Sequence, residues 1–125
     1  MRYLIDTDWL IDVLRDVAAS IRVLDRLREH GLAVSIISAG EVYEGAILAS
    51  NPSARLSDYR QFLAAFVTVP LTHSTMERFA ELRAQLRRKG NLIPDFDLLI
   101  AATALEHDII LVTRNVRHFE RIPEL

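Results

Sequence analysis

The chain has 125 residues, enough for one domain, and half are hydrophobic, enough to build a core without covalent staples. Cysteine is absent, which excludes disulfides, thiolate zinc sites and cysteine nucleophiles. Fifteen basic and seventeen acidic side chains give a formal charge of -2, which argues against a large non-specific nucleic-acid surface and leaves only local basic clusters.

In chain order, Arg2 to Asp6 reads as a short buried strand that ends on a carboxylate. Thr7 or Asp8 caps a helix reaching about Leu14. A second helix runs from about Ala19 to Glu29 on the apolar positions Ile21, Val23, Leu24 and Leu27, and His30-Gly31 stops it. Leu32 to Ile36 is the second strand. A helix follows from Ser38 to about Ala49, opened by the capping-box pair Ser38 and Glu41 and closed by Asn51-Pro52. Leu56 to Ala65 gives a short helix, and Phe66 to Val69 a third strand. Ser74 to Lys89 is a long amphipathic helix, with Ser74 and Glu77 at capping-box spacing. Gly90 to Pro94 is a loop, and Asp95 to His107 an unusually apolar helix. Ile109 to Val112 is the fourth strand; a short helix follows, and Ile122 belongs to a small edge strand.

Short apolar strands alternating with helices predict a single domain over residues 1–125, with a mainly parallel sheet of four to five strands covered on both faces. Such sheets bind ligands at the carboxyl ends of their strands. No stretch approaches the ~20 apolar residues that cross a bilayer. Asp6 and Asp8 interrupt the apolar start before it resembles a secretion signal, so a soluble cytoplasmic protein without membrane contact is expected.

Three acids stand out at element boundaries. Asp6 closes the first strand, Glu41 follows the second, and Asp97 opens the apolar run Leu98-Leu99-Ile100-Ala101-Ala102. Converging carboxylates repel one another unless a cation lies between them, so the set reads as a divalent-metal site. Each has an ordinary alternative: a helix cap for Asp6, a capping box for Glu41 and Ser38, a cap shared between Asp95 and Asp97. Asp8 reads equally as a cap or as support near the metal. Asp97 is favoured as the ligand and Asp95 as cap or outer ligand, because a buried apolar helix fixes its amino end near the strand ends. Thr113 and Asn115 leave the last strand, where a hydroxyl and an amide serve either a turn or a bound water or phosphate oxygen. His118 is either a surface residue or a substrate contact, whereas His30, His73 and His107 lack zinc-like spacing. The four glycines, at 31, 40, 45 and 90, form no phosphate-binding loop, and no GxSxG elbow is present.

Four segments together resemble the PIN-domain ribonucleases, and among these the VapC-type toxins of toxin–antitoxin pairs. They are Leu4-Ile-Asp6-Thr-Asp8, Ser38-Ala-Gly-Glu41-Val-Tyr-Glu44-Gly45, Ile93-Pro-Asp95-Phe-Asp97-Leu-Leu-Ile-Ala-Ala102, and Leu111-Val-Thr113-Arg-Asn115-Val-Arg-His118-Phe119. The resemblance spans the chain and implies a compact α/β/α fold. It also implies a Mg2+- or Mn2+-dependent endoribonuclease with Asp6, Glu41 and Asp97 at the principal acidic positions. Asp6 and Asp97 would be direct ligands, while Glu41 would bind a second ion or orient the water as base. Thr113 and Asn115, with Asp8 and Asp95, would support them. Many members carry a fourth acid after the last strand; here Asn115 and His118 stand at that place, leaving Asp95 to compensate or a single ion to suffice. Arg114 and Arg117 are the implied RNA-backbone clamps, extended by Arg83, Arg87, Arg88 and Lys89. The implied partners are RNA, a small antitoxin laid across the groove, and a second copy in a homodimer. By analogy, the helices spanning 8–29 and 55–65 supply that groove's apolar walls.

Overall fold

The computed structural model describes residues 1–125, and four short strands form one parallel sheet at its centre. They are β1 (Tyr3–Ile5), β2 (Leu32–Ser35), β3 (Val67–Val69) and β4 (Ile110–Val112), in the spatial order β3-β2-β1-β4. The helices are α1 (Thr7–Leu14), α2 (Ala18–Leu27), α3 (Ile36–Ile47), α4 (Pro52–Leu63), α5 (His73–Arg88), α6 (Asp95–Glu106) and α7 (Val116–Phe119). Arg28–His30 adds a 3-10 turn after α2. Gly31 ends that turn at φ 87°, a left-handed conformation, and its carbonyl accepts from the amides of Arg2 and Tyr3. A β-carbon at Gly31 would come within 2.9 Å of the Met1 backbone, so glycine lets the amino terminus lie against the start of β2.

Strand alternation divides the core. Ile5, Leu32 and Val34 face α1 to α4, packing on Leu10, Leu24, Ala39, Val42 and Leu63. Leu4, Ala33 and Val69 face the other way, onto Ile100 and Ala104 of α6. The remaining apolar side of α6 packs on α5 and α7, where Leu98, Ala101 and Ala102 meet Leu82, Leu86 and Phe119. A helix packed on both sides must be apolar nearly all round, which accounts for the composition of α6. The result is a four-stranded parallel sheet with helices on both faces, an α/β/α arrangement.

Several boundaries differ from the sequence reading. The α3 helix begins at Ile36, and its cap is Ser35, whose Oγ accepts from the Ile37 amide at 3.1 Å. Ser38 and Glu41 therefore form no capping box; Glu41 lies in the second turn. Asn51-Pro52 opens α4 rather than closing α3: Asn51 caps and Pro52 takes the first helical position, where a missing N–H does no harm. Thr72, not Ser74, caps α5. Ile122 lies in a turn and is buried against Leu82, Leu86 and Phe119, so no fifth strand forms there.

Candidate metal centre

The register of the sheet builds one side of the site. Leu4 pairs with Leu111 and Ile5 with Val112, so the residues that leave β1 and β4 emerge side by side. These are Asp6 and Thr113. Asp6 is 5% exposed and serves at once as the strand end and the cap of α1. Its Oδ1 accepts the Thr7 amide at 2.9 Å, and its Oδ2 accepts the Thr113 hydroxyl at 2.6 Å. Burial raises its pKa from 3.8 to about 6, outweighing those two hydrogen bonds, and the charges of Asp8 and Asp97 push it further the same way. Asp8 and Asp97 are thus close enough for their charges to oppose the ionisation of Asp6.

Asp97 sits in the first turn of α6, half-buried. Its Oδ2 lies 2.6 Å from His118 Nδ1 and 3.4 Å from Asn115 Nδ2. With its proton on Nδ1 the ring donates to Asp97, and that tautomer leaves no hydrogen bond from the Asn115 amide nitrogen to the same ring nitrogen 2.6 Å away. Asn115 and His118 thereby converge on Asp97 from α7 and its cap. Asp95, two residues earlier, turns outward; it is exposed and pairs with Arg83 at 3.0 Å. It makes no side-chain cap for α6, whose preceding residue is Pro94.

Glu41 joins the site through α1. The Thr7 hydroxyl lies 2.7 Å from Glu41 Oε1 and 2.9 Å from Ser38 Oγ. With one proton to give, donation to the carboxylate is the stronger of the two. Thr7 therefore touches Asp6 through its amide and Glu41 through its hydroxyl. Thr7 and Ser38 offer no sequence signal beyond possible capping, except that the four-residue spacing of Ser38, Val42 and Ala46 puts Ser38 on the buried face of α3.

Asp8 accepts the Trp9 amide on Oδ1 at 2.8 Å and the Arg114 amide on Oδ2 at 3.1 Å. The Arg114 guanidinium turns to Asp12 and Ser20 and lies over the Trp9 ring, 4.3 Å from its centre. Asp12, Ser20 and Trp9 had no part in the sequence reading. The spacing of Asp8 and Asp12, one helical turn, was the available signal that both face one way. Arg87, in the last turn of α5, and Arg117, in α7, are exposed.

The donor chemistry of Asp6, Glu41 and Asp97 fits a hard divalent cation: oxygen ligands only, with two carboxylates whose charges oppose each other. The expected tight convergence is not met, because no three His, Asp or Glu side chains are gathered closely enough to hold one ion. Each carboxylate is engaged by its own neighbours, Asp6 by Thr7 and Thr113, Glu41 by Thr7, Asp97 by Asn115 and His118. Beside Glu41 a cleft of about 300 Å³ opens between α3 and Phe96 of α6.

Comparison with known proteins agrees with this architecture. The family model described as PIN domain matches residues 3–125. Ribonuclease VapC10 of Mycobacterium tuberculosis is 36% identical over 123 residues, covering 98% of this chain and 89% of that protein. Ribonuclease VapC2 of Haemophilus influenzae is 29% identical over 124 residues, covering 98% of this chain and 92% of that one. Among solved structures, a chain of VapBC2 from Rickettsia felis, crystallised with a DNA fragment from their promoter, superposes with a TM-score of 0.91 at 28% identity. That match covers 100% of this chain and 96% of the other. Sheet order, the buried Asp6 at the end of β1, and a match along nearly the whole sequence lead to one conclusion: this chain belongs to the PIN-domain family and matches its VapC-type toxins.

Proposed function

We propose that the protein is a metal-dependent endoribonuclease that cleaves RNA phosphodiester bonds as the toxin of a type II toxin–antitoxin pair. The observation that carries this reading is Asp6: a buried carboxyl at the carboxyl end of the central strand, its charge opposed by Asp8 and Asp97. Such an arrangement favours a cation. Mg2+ suits the all-oxygen donors, with Mn2+ as substitute, and Asp6 and Asp97 would hold it. Glu41 would complete the ligand set or orient the attacking water. When bound, the ion lowers the pKa of water and neutralises charge on the phosphate.

The protein's own groups do the positioning. Thr7 and Thr113 fix the two oxygens of Asp6, and Asn115 and His118 fix Asp97, as outer hydrogen bonds to metal-binding carboxylates commonly do. Asp8 steadies the segment after β4 through the Arg114 amide. Asp95 is exposed and paired with Arg83, and the exposed Arg117 and Arg87 would offer positive charge to the RNA backbone. The ribonuclease names of the relatives support the reaction class, and the VapBC complexes support an antitoxin partner. A groove of about 380 Å³, lined by Val13, Ile21 and Leu24 on one side and Phe62 and Phe66 on the other, suits an apolar antitoxin segment. A homodimer in the cytoplasm completes the reading; no helix is long and apolar enough to cross a membrane.

Two observations favour a second reading. The acids are not gathered around one point, and Asn115 and His118 stand where a fourth acid usually occurs, so a catalytically weak domain acting mainly as a binding partner is the alternative. Incubating the protein with single-stranded RNA, structured RNA and DNA, each with Mg2+, Mn2+ or chelator, separates the two. Metal-dependent cleavage of RNA is expected. No cleavage of any substrate, together with tight antitoxin binding, would overturn the enzymatic reading in favour of the second.

A further inference from the structure

The segment Thr113-Arg114-Asn115 joins β4 to α7, and its residues alternate in what they touch. Thr113 donates to Asp6 and Asn115 to Asp97. Arg114, between them, turns to α1 and α2. Its amide donates to Asp8, one guanidinium arm pairs with Asp12, and the other donates to Ser20 Oγ at 2.5 Å. Its face covers Trp9, and Asp12 Oδ2 also accepts the Ser20 hydroxyl at 3.1 Å. Ser20 is fully buried and the Asp12 side chain only 20% exposed, so the far end of this clamp is fixed in the protein.

A guanidinium with both arms engaged and one face on an indole is poorly placed to follow a phosphate. We infer that Arg114 is a positioning residue: through it, Asp12 and Ser20 hold Thr113 and Asn115 against the carboxylates of Asp6 and Asp97. This rests on the metal-dependent reading above, and it assigns to Arg114 a role other than the RNA clamp expected from sequence. The physical basis is geometric. A planar cation anchored on two acceptors and a ring fixes its own backbone in direction as well as distance. Thr113 and Asn115 are its immediate neighbours, so neither can shift far while the clamp is closed.

The test uses Asp12→Asn, Ser20→Ala, Arg114→Met and Arg114→Lys, with the double variant of Asp12→Asn and Arg114→Met. Three quantities are read: the Thr113 and Asn115 amide chemical shifts without metal, Mn2+ affinity by calorimetry without RNA, and kcat and KM on single-stranded RNA. Asp12→Asn, which leaves Arg114 in place, is expected to move both amides, weaken Mn2+ binding by about tenfold and lower kcat with KM little changed. The double variant should be no worse than Arg114→Met alone, because both break one clamp. Arg114→Lys should recover part of the loss, keeping the charge for Asp12 but not the second arm. Ser20→Ala, the mildest change, should move the same quantities less and guards against misfolding of the others. The inference is overturned if Asp12→Asn leaves the amides and Mn2+ affinity unchanged. It is equally overturned if Arg114→Met acts on KM and the salt dependence of RNA binding alone, as a phosphate clamp would. Should the intact protein cleave no RNA, the ribonuclease reading fails, while the amide shifts and Mn2+ affinity still decide the role of Arg114.

Discussion

Two of the site's three acids, Asp6 and Asp97, sit at helix starts, and the two starts hold them by different means. At α1, strand and helix are separated by one residue: Asp6 directly follows Ile5, the last residue of β1, and caps α1. Backbone register fixes it: Ile5 is paired with Val112, the Asp6 amide donates to the Val112 carbonyl, and the carboxylate meets Thr7 and Thr113. At α6 the chain arrives through a loop ending in Pro94, which offers no side-chain cap, and Asp97 is placed by side chains from α7. The first acid is buried and its charge opposed by its surroundings. The second is half-exposed, with an imidazole beside it. A carboxylate set by register is rigid and burdens the fold, whereas one set by side chains can adjust when an ion arrives.

The sharpest way to break this contrast is to remove each acid in turn. Asp6→Asn and Asp97→Asn should each lower metal-dependent RNA cleavage by at least about a hundredfold, since either change removes a charged ligand from the same ion. Equal losses in activity would go with unequal effects on stability. Asp6 has a folded-state pKa of about 6 against 3.8 ordinarily, so the folded state holds its proton more tightly than the unfolded one. Stability is therefore fully present below about pH 4, falls as pH rises from there to about 6, and stays lower above. The difference amounts to about 3 kcal/mol at most. Asp6→Asn should raise the metal-free protein's stability above pH 6 by about 1–3 kcal/mol, less whatever the lost acceptor withdraws, and give little or no gain at pH 4. Urea unfolding at the two pH values measures it; a gain of the same size at both would contradict the assignment.

Smaller effects sharpen the comparison further. Thr113→Val deletes the hydroxyl on Asp6 while keeping shape, and should lower cleavage by about tenfold, from an outer-shell contact. His118→Ala should produce a loss of similar or lesser size, because it frees Asp97 rather than Asp6. Asp95→Asn is expected to do least. Its pair with Arg83 is exposed, and such pairs contribute about 0–1 kcal/mol. A large activity loss from Asp95→Asn, seen in the same cleavage assay, would mean that this exposed acid takes part in metal binding.

What the sequence made legible follows the same division. A short apolar run ending in an acid places Asp6 at a strand end by local pattern alone, and the alternation of strands and helices gives the parallel sheet. Ser35 and Ser38 are both suitable caps for α3; Ser35 takes the role, its Oγ accepting the Ile37 amide, while Ser38 meets Thr7 instead. Ile122 was misread because a lone β-branched residue in a short run suits a strand as well as a packed turn; burial against α5 and α7 settles it. Asn51-Pro52 is punctuation that closes one helix or opens the next, and here the Asn51 side chain caps α4. The partner of Arg114 was invisible for a different reason. Asp12 lies 102 residues earlier in the chain, and only the pairing of β1 with β4 brings the two together.

The most direct measurement is a calorimetric Mn2+ titration at pH 7 of the intact protein, Asp6→Asn and Asp97→Asn, each checked for folding. If the two helix starts serve one centre, the intact protein binds the ion and both variants lose that binding. Retention of full affinity by either variant would show that the two carboxylates hold no ion in common.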